Sequence, residues 1–233
     1  MKRKKIFVSH IALDAVLALE LKKWIELAFK GECVVFVSSS FEDIEPGAQW
    51  VRELRQALSG AELLLVICTR KSVNSRWVLF ETGCIWGREV TILPIVCDEQ
   101  LELPVLLSEN QILQFSDPKF SKTLIGKVAK TLRLPLPAYD NAYPKMKKAL
   151  LESYSSAKLD SDIIDRIKHV KANRSLRVKE CSAPSLAAHF RIPLADMSDH
   201  LVALTAKGYL NRVKNKLIGD YYSLTPKTER LLL

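Results

Sequence analysis

Trp77 and Glu81 stand four residues apart within Ser72–Gly87, which reads S-V-N-S-R-W-V-L-F-E-T-G-C-I-W-G. At that spacing on a helix the two side chains share one face. A carboxylate accepts hydrogen bonds from hydroxyls and steadies positive charge, and an indole face stacks on flat rings or cations. The alternative is a surface glutamate beside a half-buried tryptophan. Apart from Glu81 and Arg76 the helix is apolar or neutral.

The flanking elements decide where this pair falls. Leu63–Cys68 and Val90–Val96 are short, β-rich and nearly uncharged, as strands buried on both faces of a parallel sheet must be. The segment from about Ser75 to Trp86 is then a crossover helix, with Asn74 or Ser75 as N-cap. Upstream, Ile6–Ser9 reads as a strand and Asp14–Lys30 as an amphipathic helix stopped by Gly31. Cys33–Val37 is a second strand, Ser38–Gly47 a polar loop and Ala48–Ser59 a helix. Gln111–Phe115 and Phe120–Leu132 read as a last strand and helix. Strands alternating with helices on short connections predict a doubly wound α/β domain with a parallel sheet. Ligands of such sheets sit beyond the carboxyl ends of the strands. Ser9, His10, Ser38, Ser39, Thr69–Ser72 and the start of the Trp77 helix all map to that rim. No G-x-G-x-x-G or G-x-x-x-x-G-K motif is present, which argues against an ordinary Rossmann or P-loop site.

Arg133–Pro144 holds three prolines and cannot be one regular element. The expected organisation is a sheet domain over 1–134, a linker with a connecting helix over 135–157, and a small α+β domain over 158–233. In the last, helices are expected over Asp160–Ala172, Ser185–Phe190 and Leu194–Lys207, then a hairpin of Tyr209–Val213 with Asp220–Leu224.

The 233 residues are 48% hydrophobic and 26% charged, with a net charge of +9. Residues 158–233 hold 14 Lys and Arg against 8 Asp and Glu, whereas residues 1–157 hold 21 against 18. The basic excess lies in the smaller domain and permits a polyanionic partner there. No apolar run approaches the roughly 20 residues that span a bilayer, so no membrane partner is expected. Met1–Lys5 runs straight into a strand and lacks the features of a signal peptide. Five cysteines without metal-ligand spacing read as small hydrophobes of a cytoplasmic protein, with neither zinc site nor disulfide framework.

Taken in order, these features resemble a TIR (Toll/interleukin receptor) domain over roughly residues 4–132. Ile6-Phe7-Val8-Ser9-His10 resembles its opening strand, and Pro46-Gly47 with Trp50 the loop after strand two. Ser75-x-Trp77-x-x-x-Glu81 resembles its helix signature, and Leu93-Pro94-Ile95 the strand that follows. Trp77–Gly87 is especially similar to bacterial members. The resemblance implies a flavodoxin-like fold and one of two roles, an assembly scaffold or an enzyme that cleaves NAD at the nicotinamide–ribose bond. In the enzymes the helix glutamate is essential, which here is Glu81. Substrate contacts are then expected from Ser9, His10, Ser38, Ser39 and Trp77. Ser9 and His10 have the alternative role of capping the next helix. NAD would be substrate rather than cofactor, and no metal is implied. The acidic loop Ser38–Gly47 would act as a lid or as a contact in a homo-oligomer, on whose formation activity depends.

Residues 158–230 resemble a winged helix-turn-helix, carried by Ser185–Phe190, Met197–Leu204, Gly208-Tyr209-Leu210 and Tyr221–Thr225. Such a domain would recruit a nucleic acid or protein partner, with Arg212, Lys214 and Lys216 as backbone contacts. Asp196 and Asp199 on the expected recognition helix oppose DNA readout. The combined expectation is an assembly-activated NAD glycohydrolase in bacterial antiphage defence, its winged helix sensing or recruiting the trigger. The alternatives are a non-enzymatic TIR adaptor and a nucleotide-responsive DNA-binding regulator.

Overall fold

The computed structural model describes residues 3–37, 48–138, 141–173, 178–215, 219–226 and 228. Contacts divide the chain into two compact units, Met1–Ala157 and Lys158–Leu233.

The first unit is a five-stranded parallel sheet in the order β2-β1-β3-β4-β5. The strands are β1 (Lys4–Ser9), β2 (Cys33–Val37), β3 (Leu63–Cys68), β4 (Thr91–Val96) and β5 (Leu113–Gln114). The connecting helices are α1 (Ala15–Ala28), α2 (Ala48–Gly60), α3 (Arg76–Trp86), α4 (Val105–Ser108) and α5 (Phe120–Leu132). This strand order is that of the flavodoxin-like α/β fold, whose chain reverses direction across the sheet between β1 and β3.

Strand pleating sorts the core into two layers. Ile6, Val8, Leu65, Ile67 and Leu93 point to one face, covered by α1 and α5. Phe7, Leu64, Val66, Ile92 and Val96 point to the other, covered by α2, α3 and α4. Every residue of β3 is buried, which accounts for its unbroken apolar run. The observed β5 is shorter than the expected Gln111–Phe115: Leu113 and Gln114 are in register with Ile95 and Val96 of β4, and the Phe115 amide closes the pairing on the Val96 carbonyl at 2.9 Å.

The connecting helix expected within 135–157 and the one expected over Asp160–Ala172 are a single 30-residue helix, α6 (Tyr143–Ala172). No proline or glycine interrupts Ser155–Leu159, so nothing in the backbone stops it. The division between the units falls inside this helix.

In the second unit, α7 (Ala183–Phe190) and α8 (Leu194–Ala206) pack together, and β6 (Leu210–Val213) pairs antiparallel with β7 (Tyr221–Leu224). Leu186, Met197, Leu201, Leu204 and Leu210 are buried. Gly208 takes φ +75 between α8 and β6, a left-handed conformation that suits glycine.

All five cysteines are free thiols. Among the described residues no helix is long and apolar enough to cross a membrane, and no cluster of His, Cys, Asp and Glu is placed to hold a metal.

Leu65 has no exposed surface and sits on the central strand. Leu65→Ala is expected to destabilise the chain by about 2–5 kcal/mol, the range for buried leucine truncation, read as a lowered midpoint in urea unfolding followed by circular dichroism.

Candidate functional site

β1 delivers Ser9 to the carboxyl edge of the sheet, in register with Val66 of β3. Alternation puts Ser9 on the same face as Phe7, the face covered by α3. The helix begins after Ser75, whose hydroxyl accepts from the Val78 amide at 3.4 Å. Val78, Glu81, Thr82 and Ile85 form its buried face, the spacing of one helical stripe. Val78 and Ile85 anchor that stripe in the apolar layer. Glu81 therefore projects inward, and the Ser9 hydroxyl donates to its Oε2 at 2.5 Å.

Neither partner is exposed. Glu81 is thus not a surface glutamate. The pair lies where β1 meets β3, the switch point at which flavodoxin-like sheets hold ligands.

His10 follows Ser9 and is 1% exposed. Its Nδ1 lies 2.9 Å from the Ile11 carbonyl. A carbonyl only accepts, so Nδ1 carries the proton and Nε2 the lone pair. Nε2 is buried and has no hydrogen-bond partner among the described residues. Burial pushes the imidazole pKa down from 6.5 to about 4, against hydrogen bonding to the backbone. His10 is a neutral acceptor at pH 7.

The rest of this edge is held by its own polar contacts. The Ser72 hydroxyl donates to the Ile67 carbonyl at 2.6 Å and accepts from the Thr69 amide at 2.7 Å. Thr69 donates to Asp14 at 2.9 Å. Asp14 is a buried carboxyl between the end of β1 and α1. Sequence reasoning treated it only as a helix start, although an acid four residues after Ser9-His10, on the first connection of a parallel sheet, is itself a rim signal.

Trp77 shares the helix with Glu81 but is half-buried against the second apolar layer, its ring 5.6 Å from Phe80. Ser38 and Ser39, with the rest of the acidic loop 38–47, lie outside the described residues. In the second unit, Arg212 is tied across the hairpin to Asp220 at 2.8 Å. Lys214 is exposed, and Lys216 lies outside the described residues. Asp196 and Asp199 are both exposed on α8.

The neutral His10 makes stability depend on pH. Below pH 6.5 the unfolded chain binds a proton at this side chain that the folded chain does not take up until about pH 4. Stability therefore rises with pH through this window, and acidification across it removes about 3 kcal/mol. His10→Asn is expected to flatten that part of the profile, measured as unfolding free energy in urea between pH 4 and pH 7.

A comparison with curated proteins found no match. The family model described as TIR domain matches residues 6–127, a span that begins in β1, includes Ser9, His10 and Glu81, and ends within α5. TIR domains serve in signalling or in NAD cleavage. By that match, and with the flavodoxin-like sheet that carries it, the chain belongs to the TIR domain family.

Proposed function

We propose that the chain is an NAD glycohydrolase activated by assembly, with Glu81 as its essential carboxylate. The observation that carries this reading is the buried hydrogen bond from Ser9 to Glu81 at the switch point of the sheet. Burying a carboxyl at a sheet rim is costly unless it is hydrogen-bonded, and a chain that only needed a stable α3 would place an apolar residue there.

In the reaction the bond between ribose C1′ and the nicotinamide nitrogen breaks, and its electron pair goes to the ring. Nicotinamide leaves neutral and needs no acid. Positive charge is left on the ribosyl carbon and ring oxygen, and a carboxylate beside the sugar steadies it. Water then adds at C1′ and loses a proton to solvent, giving ADP-ribose. Ser9 fixes the orientation of the Glu81 carboxyl. His10 offers its Nε2 lone pair to a ribose hydroxyl, and Trp77, Ser38 and Ser39 complete the substrate contacts. Because Glu81 is enclosed, substrate entry requires the rim to open, which fits activation by contacts between TIR domains in a homo-oligomer.

The second unit is proposed as a winged helix-turn-helix that recruits the trigger. Support comes from the α7–α8 pair followed by the β6–β7 hairpin. The exposed Asp196 and Asp199, and the engagement of Arg212 by Asp220, favour a protein partner over base readout of DNA. Lys214 and Lys216 remain the residues for a nucleic-acid backbone. Action in the cytoplasm, in bacterial defence against phage, follows from the same family-level reasoning.

One observation favours a second reading, a non-enzymatic adaptor. Phe80 and Trp86 on α3 are 52% and 59% exposed, apolar surface of the kind that protein contacts cover.

Nicotinamide release by the purified full chain, dilute and concentrated, with and without added nucleic acid, separates the two. Glu81→Gln is expected to lower the rate by a factor of about a hundred or more at unchanged thermal stability, and Ser9→Ala by about tenfold, the equivalent of one hydrogen bond to the reacting carboxylate. Assembly without nicotinamide release under every condition establishes the adaptor.

A further inference from the structure

A concavity edged by lysines lies on the same rim, away from Ser9 and Glu81. It is a cleft of about 790 Å³ within the first unit, between the start of α5 and the first turns of α6. The volume is that of small-ligand sites. β5, which leads into α5, is three strand positions from β1, roughly 14 Å at about 4.8 Å per strand.

Four lysines line the cleft, Lys119 at the N-cap of α5, Lys122 within α5, and Lys147 and Lys148 from α6. Among the described residues the one acid in its lining is Glu152, which lies 3.9 Å from Lys148. Asp117 stands just outside and accepts from the Lys119 amide at 2.7 Å. The 13-residue α5 points its N-terminus at the cleft, and its N-cap residue, Lys119, makes no side-chain capping bond. A helix N-terminus carries partial positive charge, and here the Lys119 and Phe120 amides already donate to Asp117.

Two further observations mark this as more than a basic surface. Ser121 lines the cleft, is 2% exposed, and its hydroxyl has no hydrogen-bond partner among the described residues. A buried hydroxyl left in that state is a cost that a ligand removes. Lys147 is also held in place. Its ammonium donates to the Phe115 carbonyl and lies 4.6 Å and 5.1 Å from the Phe115 and Phe120 ring centroids. Burial lowers its pKa, partly offset by Asp117, and an anion in the cleft would favour its charged form. The rest of the lining is Tyr143, Pro118, Pro144 and Leu151, which are flat or apolar, together with Ser155.

We propose that this cleft binds a phosphate-bearing small molecule with a flat apolar body, a nucleotide. The phosphate meets the α5 N-terminus, Ser121 and the lysines, and the base lies against the Tyr143 side. The assignment is independent of NAD cleavage at Glu81.

Isothermal titration of the full chain with ADP, adenosine and inorganic phosphate tests it. ADP is expected to bind saturably at one site beyond any that Glu81→Gln abolishes. Adenosine and phosphate are each expected to bind at least about tenfold more weakly, because each lacks half of the recognised chemistry. Lys119→Glu and Lys148→Glu replace exposed residues and leave the core intact. Each is expected to weaken ADP about tenfold, and Ser121→Ala about fivefold, whereas Glu81→Gln leaves this binding unchanged. Absence of saturable ADP binding overturns the proposal. So does equal affinity for adenosine or phosphate, and so does unchanged affinity in all three cleft variants. A loss of binding confined to Glu81→Gln assigns the nucleotide to the other site and likewise overturns it.

Discussion

A carboxyl with no exposed surface at the end of a parallel sheet has to meet a donor, and the donor has to arrive on the correct face. Ser9 meets both conditions through strand parity. It lies two residues beyond Phe7, so it shares the face that α3 covers, and the bond to Glu81 closes at 2.5 Å. A one-residue slip of β1 would turn Ser9 toward the α1 side and bring His10 round in its place. Register is held on both sides of β1, by five paired residues of β2 and four of β3. The unbroken burial of β3 gives that pairing its apolar support.

The same parity separates two kinds of polar group at the rim. On the α3 side stands the hydroxyl–carboxyl pair. His10 follows Ser9, uncharged and with one nitrogen occupied by its neighbour's carbonyl. The surrounding loop is fixed by hydrogen bonds of Thr69 and Ser72 to nearby backbone and to Asp14. Groups that could otherwise compete for Glu81 are thereby committed to structure. What chemistry the site performs then depends on a carboxyl whose orientation is set before any ligand arrives, an arrangement that limits reorganisation during reaction.

The lysine-lined cleft has a different origin. It arises where the last helix of the sheet domain begins and α6 passes close by, so residues distant in sequence, Lys119 and Lys148, line one hollow. Each lysine is unremarkable within its own segment. Their convergence reflects how α5 and the start of α6 cover the same face, with Leu124, Val128, Met146 and Leu150 in one apolar layer.

Much of the fold was legible in the residues. Runs such as Leu63–Cys68 have no polar face, so they had to become strands covered on both sides, and the alternation with amphipathic segments left a parallel sheet as the consistent answer. Glu81 stood out for the opposite reason, as one acid on an apolar helix. The continuity of α6 was not legible because its two halves belong to different compact units, although no proline or glycine interrupts Ser155–Leu159. Local pattern and spacing therefore determined the elements and named the acid, because helix and strand periodicities are written in consecutive residues. Only the tertiary structure decided that Glu81 is enclosed and bonded to Ser9, that Trp77 packs beside Phe80, that Arg212 is held by Asp220, and that four lysines share a hollow. Those facts depend on register and on which helices cover which face, and neither is encoded in the spacing of any one segment.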